Sequence, residues 1–509
     1  MVTRVHTVAF QGIETLPVEV QVHLGNGLPA FTIVGLPDNA VRESRERVRA
    51  ALASMGISLP AKKILVNLAP ADVQKEGSHF DVPIALALLV ALGFLPGDSI
   101  EQFIALGEVA LDGKLQPVAG VLPAALAASG QGKGLICPAG NGSEAAFAGE
   151  IDILAAGSLL ALVNHVKGQQ VLGAPQAVAY ADTFRGPDLA EVRGQSVAKR
   201  ALEIAAAGGH NLLLVGPPGS GKSMLAAALP GILPPMSAEE ILETNLIASV
   251  AGKLVKGNFS GARPYRDPHH SSSTPSMVGG GRRAVPGEIS LSHNGVLFLD
   301  ELPEYPRAVL ESLRQPLETG QVSVARVEAH VTYPARFQLV AAMNPCRCGY
   351  LGDVARACGK APRCASEYQS KISGPLLDRI DLHVEVPAVE TLSMLAPAGG
   401  ERSAAVAARV ARARDRQRSR FAGMNIRART NAEVGGDALT ALVKLPPDGR
   451  TLLEDATGRL GLSMRGLTRV LRVARTIADL EGAEDVSRTH LAEALSYRES
   501  PQGKWLSAA

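Results

Sequence analysis

Asn211-Leu-Leu-Leu-Val215 runs without a break into Gly216-Pro217-Pro218-Gly219-Ser220-Gly221-Lys222-Ser223. Four apolar residues read as a buried strand, and the glycine-rich stretch follows the G-x-x-x-x-G-K-S spacing that joins a strand to a helix. Such a loop turns its backbone N–H groups inward around a β-phosphate. Lys222 then reaches the β- and γ-phosphates, and Ser223 ligates Mg²⁺. A helix beginning near Met224 adds the positive end of its dipole. The expected ligands are therefore ATP and Mg²⁺, and the expected core is an α/β fold with a parallel sheet.

Two further strands fit this core. Val296-Leu-Phe-Leu299 ends in Asp300-Glu301, an apolar strand that delivers one carboxylate to a metal and a second to the attacking water. Gln338-Leu-Val-Ala-Ala342 ends at Met343-Asn344-Pro345. Asn344 either orients the water from a strand tip or simply forms the turn before proline.

Outward from this centre, a chain of 509 residues is too long for one core. The divisions expected are an N-terminal domain over 1–165, a Gly/Ala/Gln-rich linker over 166–186, the nucleotide core over 187–395 and a helical domain over 396–509. In the first of these, 18–25, 31–35 and 63–70 read as strands, and 40–56 and 82–93 as helices. Apolar residues are 46% and charged residues 20%, ordinary for a globular protein, and a net charge of +2 excludes no partner. The apolar run from Val82 to Pro96 falls short of the roughly 20 residues that span a bilayer. The N-terminus lacks the apolar core of a signal peptide. A cytoplasmic location is expected, with cysteines mostly reduced and no membrane partner.

Arg263-Pro-Tyr-Arg-Asp-Pro-His-His270, Val278-Gly-Gly-Gly281, the run from Pro286 to Glu301 and Ser373-Gly-Pro-Leu-Leu-Asp-Arg-Ile-Asp-Leu-His383 add a longer signature. With the phosphate loop they resemble the YifB/ComM family of magnesium-chelatase-like AAA+ proteins, over nearly the whole chain. The resemblance implies an AAA+ P-loop core preceded by a Lon-protease-like α+β domain and followed by a helical lid. It also implies a homo-oligomer, a hexameric ring with ATP between subunits. On that resemblance Asn344 is sensor 1 and Arg379 the arginine finger for the neighbouring site. Arg465, in Gly461-Leu-Ser-Met-Arg465-Gly, is the sensor 2 arginine, and Asp188–Gln195 lies on adenine. The activity implied is DNA remodelling, a branch-migration helicase of homologous recombination and natural transformation. The alternative is a chelatase-type motor subunit that remodels a protein partner. An ATP-dependent protease is a third reading.

Four signals stand apart from the core. Cys346, Cys348, Cys358 and Cys364 supply enough thiolates for a tetrahedral zinc site, but not in C-x-x-C pairs, so zinc and free reduced thiols both remain open. Arg409, Arg412, Arg414, Arg416, Arg418 and Arg420 either meet nucleic-acid phosphates or form a solvated helix. Gln321–Val331 alternates like a hairpin whose Arg326 and His330 either touch a DNA strand or face water. In the N-terminal domain, His79 stands where a Lon-like nucleophile would be, with Ser78 one place early, and Leu122 replaces the activating lysine. Without a base a serine hydroxyl stays unactivated, so this domain is expected to be catalytically dead.

Overall fold

A computed structural model describes residues 2–177, 186–254, 259–281, 284–325, 330–351, 358–361, 363–388 and 400–498. The N-terminal part is a mixed seven-stranded sheet with helices. Its elements are β1 (Thr3–Gln11), β2 (Glu14–Gly25), β3 (Ala30–Val34), α1 (Asn39–Ser54), β4 (Lys63–Ala69), α2 (Asp81–Ala91), β5 (Phe103–Ala105), α3 (Val121–Gly130), β6 (Gly134–Pro138) and β7 (Ile153–Ala156), ordered β3-β4-β2-β1-β5-β6-β7. Val18, Val20 and Val22 alternate inward along β2, as a half-buried strand requires. Helix α2 is buried from Asp81 to Leu89, which explains its apolar character on all sides. The long β1 has no entry among the expected strands, because Val8 and Ala9 are both buried and blur the alternation.

The nucleotide core follows with α4 (Ser196–Gly208), β8 (Leu212–Val215), α5 (Lys222–Ala228), α6 (Ala238–Val250), β9 (Tyr265–Arg266), β10 (Val296–Leu299), α7 (Arg314–Thr319), the hairpin β11 (Gln321–Ala325) and β12 (His330–Pro334), β13 (Gln338–Met343), α8 (Arg363–Gln369) and β14 (Leu382–Glu385). Its sheet runs β9-β10-β13-β8-β14, and every pairing is parallel. Parallel sheets bury both faces. Leu212 and Leu214 enter a core shared with the C-terminal helices, while Leu213 and Val215 enter the opposite core with the hairpin valines. Among the described residues, 400–498 contains helices and no strand, notably α9 (Ser403–Gly423), α10 (Met464–Glu481) and α11 (Arg488–Ser496).

The three parts touch. Ser249 of α6 donates to the buried Glu144 carboxylate, and Gly120 N–H donates to Ser249 O at 3.1 Å. Phe147 stacks on Phe259 with centroids 3.7 Å apart. At the β1–β2 turn, a Cβ on Gly12 would fall 2.6 Å from Val331 of the hairpin, so this turn rests on the hairpin stem. The helical domain meets the core through a polar seam: His210 Nε2 lies 2.8 Å from Thr476 Oγ1, and Arg469 donates to Asp381 at 2.6 Å.

His210 is fully buried, and burial lowers its pKa from 6.5 to about 4, against the raising effect of Asp381. The folded state therefore resists a proton that the unfolded chain accepts. Stability from this group is full above pH 6.5 and falls by roughly 3 kcal/mol as the pH drops toward 4. The urea midpoint should decline over that window, and less steeply in His210→Gln. Equal slopes in the two proteins would refute the assignment.

Candidate nucleotide site

Parallel pairing places the ends of β8, β10 and β13 at one edge, because Val215 is level with Met343 and Leu299 with Ala341. At such an edge an open α/β sheet binds its ligand. Gly216 follows β8 and donates to Met343 O at 3.2 Å. A Cβ there would lie 2.1 Å from Val386 O, so only glycine fits. Gly219 and Gly221 turn the loop at φ +75° and +92°, a region that disfavours side chains.

Lys222 Nζ donates to Gly216 O (2.8 Å), Pro217 O (2.9 Å) and Asn344 Oδ1 (3.2 Å). Burial lowers its pKa, and Asp300 and Glu301 oppose that shift. Ser223 Oγ donates to Asp300 Oδ2 at 2.7 Å. The hydroxyl and carboxylate expected on Mg²⁺ thus already touch, and the ammonium caps the loop beside Asn344. This donor set fits a Mg²⁺-triphosphate. Glu301 has φ +52°, its N–H bonds Asp300 Oδ1 at 2.9 Å, and its carboxylate is half exposed. His270 Nδ1 stands 3.4 Å from Glu301 Oε2. It arrives on the segment after β9, which pairs with β10. Nothing local in the sequence marks a role for His270; its place beside the Asp-Glu strand comes from the pairing of β9 with β10.

The stretch Asp188–Gln195 also reaches the loop, with Gln195 Nε2 donating to Ser220 O (3.2 Å) and Pro387 O (2.7 Å). Arg379 and Arg465 do not join this group. Arg379 O accepts from Asn211 Nδ2 at 3.1 Å, so its backbone sits at the start of β8, a strand's length (about 13 Å) from the phosphate loop. Its guanidinium pairs with Glu318, as does Arg465 at 3.8 Å.

Cys346, Cys348 and Cys364 bring their sulfurs within 4.8 Å of one another, and Cys358 lies against Cys348 and Cys364. The Tyr350 amide lowers the Cys348 thiol to about 7, while burial pushes Cys364 up to about 12. A Cβ on Gly349 would meet Pro218 Cδ at 2.5 Å, so the thiol loop packs on the phosphate loop itself.

Most of the arginine run of α9 is engaged within the chain. Arg409 pairs with Glu203 and Glu401, Arg414 donates to Ala206 O, Arg416 to Asp479 O, Arg420 pairs with Asp479, and Arg418 with Asp415. Arg409, Arg414, Arg416 and Arg420 thus face carboxylates and carbonyls of the core and the helical domain, so four of the six hold the protein together, while the Arg418–Asp415 pair lies exposed on its own helix. Arg326 lies outside the described residues, and for His330 only the backbone is described. In the N-terminal domain, His79 is buried with Nε2 at 3.0 Å from Val8 O. Leu122 is fully buried, with its N–H on Glu144. Among the described residues no helix is long and apolar enough to cross a membrane.

A parallel sheet with a phosphate loop, an Asp-Glu strand and an Asn-tipped strand at one edge defines an AAA+ ATPase core. Residues 188–394 match the family described as magnesium chelatase, subunit ChlI; 20–141 match subunit ChlI of Mg-chelatase, and 400–498 the C-terminal part of that subunit. The chain is 45% identical over 502 residues to YifB of Salmonella typhimurium, covering 97% of this chain and 96% of that protein. It is 45% identical over 501 residues to competence protein ComM of Haemophilus influenzae, covering 97% of each. The magnesium-chelatase 38 kDa subunit of Cereibacter sphaeroides is 27% identical over 347 residues, 60% of this chain and 90% of that one. The chain belongs to the YifB/ComM family of magnesium-chelatase-like AAA+ ATPases.

Lys222→Ala should weaken ATP binding about tenfold to a hundredfold, since a charge-assisted contact is worth 1.5–3 kcal/mol. Glu301→Gln should bind ATP normally and hydrolyse it about 10²-fold more slowly. Equilibrium nucleotide binding and phosphate release separate the two, and unimpaired turnover by Glu301→Gln would remove it as the catalytic carboxylate.

Proposed function

We propose that the protein is a ring-forming ATPase, most simply a hexamer, that turns ATP hydrolysis into remodelling of DNA as a branch-migration helicase. The observation that carries this reading is the full-length similarity to a competence protein, set against a match of 60% of the chain to chelatase subunits. Bound ATP and Mg²⁺ supply the phosphoryl bond and neutralise its charge. Lys222 and the loop amides hold the phosphates, Ser223 and Asp300 hold the metal, Glu301 takes the water's proton and Asn344 orients that water. Arg379 takes the arginine-finger role that the family resemblance implies, at the neighbouring subunit's γ-phosphate, and its start a strand's length from its own loop is compatible with that role. Arg465 is the sensor 2 arginine of the helical domain and shares Glu318 with Arg379. A planar, permanently charged group suits both roles.

The hairpin β11–β12 supports a DNA reading by its position between the Asp-Glu strand and the Asn-tipped strand. Val322 and Val324 anchor it in the core, and Gln321, Ser323 and Ala325 are exposed. The N-terminal domain docks rather than cuts, since Leu122 stands where a lysine would activate Ser78. Ser78→Ala should leave turnover unchanged.

ATPase rate and junction migration should be measured with single-stranded, duplex and four-way-junction DNA. Stimulation by junctions, with binding that weakens steeply as salt rises, is the expected result. Robust ATPase with no DNA binding at low salt would favour the chelatase-type protein substrate.

The four thiols hold one zinc ion in this proposal, because three sulfurs lie within 4.8 Å of one another with Cys358 beside them, and the loop they tie packs on Pro218. Protein purified without chelator should carry about one zinc per chain, and its removal should lower the melting temperature. Well under half an equivalent would exclude a structural zinc.

A further inference from the structure

Two arginines from separate parts of the chain meet one carboxylate. Arg379, before β14, donates to Pro375 O at 2.6 Å and pairs with Glu318 Oε1. Arg465, in the first turn of α10, stands 3.8 Å from the same oxygen. Their exposures differ: the Arg379 side chain is 6% exposed, Glu318 47% and Arg465 64%. Arg379 Nε is buried and has no hydrogen-bond partner among the described residues. A finger meant for another subunit's phosphate should project, yet this one is drawn in and incompletely satisfied.

We propose that Glu318 is a positioning residue that keeps Arg379 and Arg465 on their own subunit until the phosphates of a nucleotide bound by the neighbour displace it. The inference rests on the reading of both arginines given above. One carboxylate between two guanidiniums leaves a net positive charge, so the cluster is poised to accept an anion. A triphosphate carries more charge than Glu318 and offers several acceptor oxygens, including one for the unpartnered Nε. Exchange also relieves the repulsion that the paired arginines feel when only one carboxylate separates them. Glu318 lies in the last turn of α7, and Gly320 at φ +66° leads directly into β11. Ala335 N–H closes the hairpin base onto Gly320 O at 2.8 Å. A displacement of the hairpin stem is therefore transmitted within two residues to the group that holds the arginines. ATP engagement at one interface and the hairpin of the same subunit share this carboxylate.

The test is Glu318→Gln in the full chain, which keeps the shape and an acceptor but removes the charge. Affinity for a slowly hydrolysed ATP analogue should be measured above and below the concentration at which the protein assembles. In the assembled state Glu318→Gln should bind at least about threefold more tightly, because the phosphates no longer compete with a carboxylate. Below the assembly concentration the gain should vanish. It should also vanish in a background carrying Arg379→Ala and Arg465→Ala. A residue with only a structural role would act at every concentration, and Glu318 is exposed enough that the variant should fold. Unchanged affinity on assembly, a gain that persists without the arginines, or weakened binding overturns the proposal. Wild-type turnover by Arg379→Ala would instead overturn the arginine assignment, and this proposal with it, leaving the site at Lys222 and Asp300 untouched.

Discussion

The pairing of β8 with β13 is the constraint on which the nucleotide site depends. Leu212 to Val215 lie level with Val340 to Met343, and Gly216 N–H extends the ladder by one bond to Met343 O. That bond fixes where the phosphate loop leaves the sheet and sets Asn344 beside Lys222. Since β10 pairs with the other side of β13, Asp300 comes to Ser223 by the same register. A slip of one residue would turn every side chain of β8 to the opposite face and separate all four groups. Burial on both faces prevents the slip, because Leu212 and Leu214 would exchange cores with Leu213 and Val215.

The C-terminal helices are a full partner of the sheet. They share a hydrophobic core with α4 and β8, and their polar seam with His210 and Asp381 is almost wholly buried. Buried charges of this kind are stable only when their bonds are complete. Asp381 meets that condition with the Asn211 amide and Arg469, and Asp479 with Arg420, Arg475 and Asn431. The same requirement explains the arginine density of α9. Those side chains satisfy carbonyl ends and carboxylates at a domain seam, so their number reflects the polar surface buried there.

Local pattern carried much of the fold, and long-range contact the remainder. The phosphate loop and the strands ending at Asp300 and Asn344 were legible because a buried parallel strand leaves an unbroken apolar run and its tip is marked by polar residues. The strand β1 was not, because Thr7 and Val8 are buried side by side and the two-residue period disappears. Glu318 had no signal either. An exposed glutamate at a helix end resembles any solvated residue until Arg379, distant in sequence, and Arg465, more distant still, are brought to it. The basic run left two readings open for the converse reason: a charge density says nothing about whether carboxylates wait across a fold, and here Glu203 and Asp479 do. The cysteines were legible as a group, yet the contact of Gly349 with Pro218, which ties them to the phosphate loop, joins residues about 130 positions apart and leaves no local signal.

The N-terminal domain is tied to the core by polar as well as aromatic contacts. Around Ser78, His79 is buried against Val8 O, and Leu122 is part of the core. What the domain does supply is contact. Glu144 is buried, burial raises its pKa, and the Ser249 hydroxyl and Leu122 amide oppose that rise by bonding its carboxylate. Removing α6 would leave that acceptor partly unsatisfied, a cost of about 1–3 kcal/mol, so the docked arrangement is held by more than apolar area. The Phe147–Phe259 stack adds a second attachment and the Gly12 turn a third. The third matters most, because it falls on Val331 and Tyr333 of the hairpin stem. A Cβ at Gly12 would press on Val331, so the turn lies in direct contact with the stem. The hairpin stem that leads to Glu318 is thus in contact with the N-terminal β1–β2 turn and with the nucleotide core.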